Sequence, residues 1–263
     1  MTYSLNGVPL HNPARGWIFR SSSRPLADLE IELSSVSRQG RHGILSPEPG
    51  LVGAPTIMLV VQVPRSQRQT LEAFVRKGGV LTSTYDAGEM TVELVSISPT
   101  GYAAAERIVD LAITFRVPDA AARGPIVTSN ALALGTASVA VTGLFAGLAV
   151  EVQDAIVRVK GAATGLQVTD SSGAWFTFAD PILTSEWFRF DAATGRAWKT
   201  STDVWAGGTE VSGAVDFGGP RGVFEISPFW GADPAKRDGR LTVATGTRSG
   251  ASIEVRGRSA FLV

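Results

Sequence analysis

The sequence predicts an all-β chain with one helix, divided into two β-sandwich domains. Three observations carry this. Apolar residues alternate with polar ones, or run on without interruption, through most of the chain. Helical spacing of apolar residues occurs in one segment, around Leu71. Turn residues recur at short intervals through the second half, the pattern of a sandwich or jelly roll.

The elements follow in order. Leu29, Ile31 and Leu33 alternate with Glu30, Glu32 and Ser34, which predicts a half-buried strand. The run TIMLVVQV, residues 56–63, predicts a strand covered on both faces. In PRSQRQTLEAFVRKGG, Leu71, Phe74 and Val75 follow Pro64 at helical spacing, with Lys77 in the last turn and Gly78 as the stop. Arg65, Arg68, Arg76 and Lys77 read as the solvated face of that helix. Four cations without interleaved aromatics make a poor nucleic-acid footprint. Residues 90–97 and 108–117 predict two more strands. In the second of these Val109, Leu111, Ile113, Phe115 and Val117 share a face.

Pro118 ends that strand, and DAAARGP reads as a connector of small and polar residues. The boundary falls between Asp119 and Gly135, giving domains over residues 1–128 and 129–263. The second domain reads as strands throughout. Val150, Val152, residues 156–159, Leu166 and Val168 lead to the turn DSSG and the strand WFTFA. In EWFRFD, Phe188 and Phe190 share a face opposite Trp187 and Arg189. The turn AATG joins this strand to RAWKT as a hairpin. GVFEI, RLTVAT and SIEVRGRSAFLV supply the remaining strands.

Composition limits the chemistry. In 263 residues, 24 Lys and Arg balance 24 Asp and Glu, so a dedicated nucleic-acid binder is not expected. There is no Cys, hence no thiolate metal site and no Cys nucleophile. His11 and His42 are the two histidines, both in the first half, and read as surface or interface residues. No phosphate-cradling Gly-rich loop, H-E-x-x-H or nucleophile elbow is present. No catalytic residue, cofactor or metal ligand is therefore assigned. The N-terminus has no basic region followed by an apolar core, so a secretory signal is not expected. Residues 124–150 carry no charge and are long enough to span a bilayer, but are built of Ala, Gly, Ser and Thr. The reading preferred is a linker followed by a strand with Val139 and Val141 on one face, without membrane insertion.

Two sets of residues remain. Asp170, Asp180, Glu186 and Asp191 fall among aromatics, as glycosidase carboxylates do. Asp170, Asp180 and Asp191 also sit at turn positions, where Asp serves the backbone. Five of the six Trp lie in the second half: Trp175, Trp187, Trp198, Trp205 and Trp230. They either fill the core or form a recognition surface, for which Trp187, Trp198, Trp205 and Trp230 are the candidates.

The order of pieces resembles a known family. YSLNGVPL, LEIELSSVSRQGRHG and PTIMLVVQVP precede a helix and paired strands. Then come the DSSG turn, EWFRFD, the hairpin with RAW, and GVFEISPFWGADPAKRDGRLTVATG. This arrangement resembles the distal tail proteins, also called minor tail proteins, of long non-contractile-tailed bacteriophages. The resemblance implies an N-terminal sandwich that assembles into a ring, usually a hexamer, and an outward galectin-like C-terminal sandwich. It implies a structural virion protein, made in the bacterial host cytoplasm, that joins the tail tube protein to a tail-tip or baseplate hub protein. A carbohydrate-binding module for host cell-wall glycans, using the Trp-rich half, is the alternative. The galectin mode of sugar binding is not expected. It uses His-x-Asn-x-Arg and Trp-x-x-Glu, whereas Asn occurs only at Asn6, Asn12 and Asn130, and no second-half Trp is followed three residues later by Glu.

Overall fold

The computed structural model describes residues 3–21, 23, 31–32, 36–37, 44–45, 51–52, 54–84, 88–103, 107–231, 233 and 237–262. Two compact units result: the first runs to Arg123 and takes in Leu262, and the second is Gly124–Phe261. Of the strand predicted around Leu29, the described part is Ile31–Glu32, antiparallel to Leu51–Val52. Leu29, Glu30, Leu33, Ser34 and His42 lie outside the described residues.

The first unit is built on Thr56–Pro64, which pairs along its length with Ile108–Arg116. Ile57, Leu59, Val61 and Val63 are fully buried, as are Leu111, Ile113 and Phe115 on the neighbouring strand. The other face of Thr56–Pro64 is only partly covered, because Met58 and Gln62 are half-exposed beside buried Val60. Pro64 leads through a 3-10 turn, Arg65–Gln67, into the helix Arg68–Val75. Leu71 and Val75 are buried, and Phe74 stacks on the buried Trp17 with centroids 5.9 Å apart. The helix ends at Val75, two residues earlier than the pattern suggested, so Lys77 and Gly78 lie beyond it. Gly78 adopts φ +59°, and a Cβ there would approach the Val92 carbonyl oxygen to 2.6 Å.

The strand predicted over residues 90–97 extends over Glu89–Ala103. Its start pairs with Gly79–Ser83, and Glu93 to Ala103 pair with Ile108–Arg116. The extension past Pro99 has no apolar alternation, since most of its side chains are exposed. Its ladder is what holds it extended, with bulges at Leu94/Ser96 and Pro99/Gly101. The DAAARGP connector is corrected as well. It runs into a strand, Ala121–Thr128, with Ala121 and Ala122 buried. These residues are small because they are packed: a Cβ on Gly88 would lie 2.9 Å from the Ala122 side chain.

The second unit is a two-sheet sandwich. In one sheet Arg248–Leu262 pairs with Leu132–Ala133 and with Ile156–Ala163. Trp187–Asp191, Arg196–Thr200 and Thr209–Glu210 continue outward from Ile156–Ala163. The other sheet runs Ser138–Leu144, Asp238–Ala244, Leu166–Asp170, Trp175–Phe178, Val215–Gly218. Phenylalanines join the two. Phe176 stacks on Phe190 at 4.3 Å and Phe178 on Phe188 at 4.2 Å, with Phe224 edge-on to Phe176 at 5.0 Å. The uncharged stretch 124–150 holds the end of Ala121–Thr128, then Leu132–Ala133 and Ser138–Leu144, with Val139 opposite Val243 and Val141 opposite Leu241. Among the described residues no helix is long and apolar enough to cross a membrane.

Candidate functional site

Strand parity decides what the outer sheet of the second unit presents. Val157, Val159, Phe188, Phe190 and Ala197 point into the core. Their neighbours Arg158, Lys160, Trp187, Arg189 and Trp198 therefore lie on the opposite face. The register sets Arg158 opposite Arg189, Lys160 opposite Trp187, and Arg189 opposite Trp198. Two facing arginines would repel, and each guanidinium is stacked on indole instead, Arg158 on Trp187 and Trp205 and Arg189 on Trp198.

The Arg158 guanidinium lies 4.2 Å from the ring centroid of Trp187 and 4.0 Å from that of Trp205. Its Nε donates to Glu254 Oε2 at 3.0 Å and its Nη1 to Asp203 Oδ1 at 2.7 Å, and Nη2 also bonds Glu254. The side chain is 5% exposed. A planar, weakly hydrated guanidinium suits this setting, in which indoles cover its faces and carboxylates its rim. Arg189 stacks on Trp198 at 4.6 Å and donates through Nη2 to the Gly207 carbonyl at 3.1 Å. Its Nη1 is buried with no hydrogen-bond partner. Burial depresses the Arg189 pKa, against an opposite pull from Asp191. Lys160 lies 4.7 Å over Trp187 and Arg256 5.4 Å over Trp205.

Asp203, Trp205 and Gly207 all belong to the segment 201–208, which crosses this face between Arg196–Thr200 and Thr209–Glu210. Every residue of the segment except Trp205 is exposed. Gly207 and Gly208 have φ of +73° and +102°, and a Cβ on Gly208 would lie 2.4 Å from the Lys199 carbonyl oxygen.

Of the sequence candidates, the structure brings Trp187, Trp198 and Trp205 together. Trp230 is apart from them, just past Pro228–Phe229, 58% exposed and with Arg237 5.0 Å over its ring. Trp175 is half-buried against Gly218. The core is thus filled by Phe, and none of the five Trp is fully buried. Each of the four candidates carries a cation over its ring, a face that a stacked sugar would otherwise take. Sequence reasoning placed Arg189 on the face of Trp187 without giving it a role, and missed Arg158, Lys160, Asp203, Glu254 and Arg256. The available signal was the alternation R-V-K and W-F-R, which puts cations and indoles on one side of their strands.

Three of the four carboxylates, Asp170, Asp191 and Glu186, serve the backbone. Asp170 accepts the Ser172 and Ser227 N–H groups at 2.8 and 3.2 Å, and Asp191 accepts the Ala193 N–H at 3.0 Å. Asp180 is exposed. Glu186 accepts the Leu183 N–H at 2.9 Å and pairs with Lys199 at 3.2 Å. That backbone bond, aided by Lys199, holds its pKa below the usual glutamate range. Glu225, which the sequence did not single out, is buried. Burial pushes its pKa up, against the pull of Arg221 at 3.5 Å and Gln153 at 3.3 Å. His11 accepts the Phe19 N–H through Nδ1 at 3.3 Å. Among the described residues no cluster of three His, Cys, Asp or Glu could hold a metal ion.

No known family profile matches the sequence, and no curated protein matches it. Among solved structures, the chain is similar to the SPP1 Dit (gp 19.1) protein, described as a paradigm of the hub adsorption apparatus in Gram-positive infecting phages. The match covers 99% of both chains with a TM-score of 0.67 and 14% identity. The two proteins share a fold. The phage P2 baseplate in its activated conformation with Ca matches over 97% of each chain at a TM-score of 0.37 and 10% identity, a level that carries no argument.

Proposed function

We propose that this chain is a structural virion protein, a ring-forming hub at a phage tail tip that joins the tail tube to tail-tip or baseplate components. The observation that carries the reading is the end-to-end match in fold to the SPP1 Dit hub protein, across both units and in the same order. The hub has no chemistry of its own. It forms a homo-oligomer, most simply a hexamer, through the first unit. In support, Glu89–Ala103 carries Val95 and Tyr102 exposed at 56% and 59%. Among the described residues, Glu93 to Ala103 pair only with Ile108–Arg116. A ring reuses one such head-to-tail contact until it closes. Light scattering and negative-stain images of the purified protein test this. A closed ring of about six copies is expected, and a monomer at every micromolar concentration sinks the reading.

The carbohydrate-binding alternative has one observation in its favour, the exposed ring of Trp230. Against it, Trp187, Trp198 and Trp205 are engaged by Arg158, Arg189 and Arg256. Saturable binding of a cell-wall glycan by the monomer, lost in Trp230→Ala, would favour this alternative over the hub.

A further inference from the structure

The segment 201–208 binds the outer sheet as a ligand would. It crosses a paved surface, is itself exposed, and touches that surface through three acceptor or stacking groups. The Asp203 carboxylate takes Nη1 of Arg158, the Trp205 indole covers the same guanidinium, and the Gly207 carbonyl takes Nη2 of Arg189. Its other apolar side chain of any size, Val204, is 41% exposed and does not anchor it. The surface beneath does not depend on the segment for its shape. Arg158 keeps Glu254 and Trp187, Arg189 keeps Trp198, and all five belong to paired strands. What the segment supplies is negative charge and aromatic cover for buried Arg158, and a carbonyl acceptor for buried Arg189. Arg189 still has an unpartnered buried nitrogen with the segment in place.

We infer that this face is an acceptor site for an acidic, aromatic peptide of a partner protein, and that segment 201–208 is a strap filling the site in cis. The chemistry of the ligand is read from the strap: a carboxylate two residues before an indole, followed by a free backbone carbonyl. A partner peptide of this type displaces the strap by supplying the same three contacts. The two glycines at positive φ, Gly207 and Gly208, let the chain swing without side-chain clashes of its own.

The test uses the full chain with Asp203→Ala and Trp205→Ala together, which empties the site without shortening the loop. The probe is a fluorescently labelled free peptide of the strap sequence, Ser-Thr-Asp-Val-Trp-Ala-Gly-Gly, followed by anisotropy. Saturable binding to the double variant is expected, at least ~10-fold tighter than to the unmodified protein, whose own strap competes at a high effective concentration. A peptide with Asn for Asp and Ala for Trp should not bind. Adding Arg158→Lys to the double variant should abolish binding, because an ammonium keeps the charge but loses the fork and the stacking. If near-UV circular dichroism shows that the double variant is unfolded, Asp203→Asn alone serves, and should bind the peptide more tightly than the unmodified protein. No saturation in the millimolar range, or equal binding of the altered peptide, overturns the inference. So does saturation by inorganic polyphosphate without peptide binding, which would make the face a phosphate-polymer site.

Discussion

Glu186 and Glu225 lie in the same sandwich and have their pKa values shifted in opposite directions, which makes them a test of local electrostatics. Glu186 is held below the ordinary glutamate range by the Leu183 N–H and by Lys199. Its contribution to stability is present above the ordinary glutamate pKa and is lost as pH falls through the lower folded value. Glu225 is pushed up by burial. Its cost to stability is absent at acid pH, and grows as pH rises from the ordinary glutamate value through the higher folded one. Glu186→Gln should therefore destabilise the protein at neutral pH, and by progressively less as pH falls below the ordinary glutamate range. Glu225→Gln should stabilise it at neutral pH with no gain at pH ~3. Chemical denaturation of the two variants across this range checks both, and the same sign for both at neutral pH would refute the assignment. Neither behaviour could be read from the sequence. Glu186 acquires Lys199 through the hairpin, and Glu225 meets Gln153 across 72 residues. The tryptophans show the same limit. Their concentration in one half was legible, but the cations on their rings come from strands whose register had first to be known.

Elements with a period were legible, and elements held by their neighbours were not. The inward face of Phe188 and Phe190 follows from alternation alone, because a residue-by-residue flip is a property of any strand. The run past Pro99 and the strand Ala121–Thr128 carry no such signal. Bulges are also silent in sequence unless glycine marks them. Gly161 does so in Ile156–Ala163, where the register against Arg248–Leu262 shifts between Lys160 and Ala162. It adopts φ +88°, and a Cβ there would sit 2.6 Å from the Gly250 carbonyl oxygen and 3.0 Å from the Ala251 Cα. Both obstacles are backbone, so they cannot turn aside. Gly161→Ala should cost about 1–3 kcal/mol, the range for a residue forced into such a conformation. Gly213→Ala, whose Cβ would meet nothing within 4 Å, is the control and should stay within ~0.5 kcal/mol. Urea denaturation measures both, and equal effects would mean that the bulge relaxes freely.

At the scale of the molecule, the succession of two β units was legible because Pro118, Pro125 and the small residues between them break the pattern. Composition could not choose among the residues from Asp119 to Gly135, and packing does. The division falls between Arg123 and Gly124. Residues beyond it already belong to the second sandwich. The Ser129 N–H donates to the Val255 carbonyl at 2.8 Å, and its hydroxyl accepts the Val255 N–H at 2.9 Å. Leu132 sits opposite Ile253, and buried Leu134 donates its N–H to the Ala251 carbonyl at 2.8 Å. A fragment beginning at Gly135 would lose this edge of the sheet and leave Arg248–Leu262 open along it. Leu134 alone removes about 2–3 kcal/mol of apolar burial, and the unpaired backbone groups add to that. We therefore propose that the second unit folds by itself when cut at Gly124, and does so less well when cut at Gly135. Both fragments should unfold cooperatively, with the shorter one melting about 5–15 °C lower, the shift that this loss produces in a domain of this size. Calorimetry of the two settles the matter: equal melting temperatures would show that residues 124–134 contribute nothing. Failure of the longer fragment to fold without the first unit would show that the two units are one cooperative body.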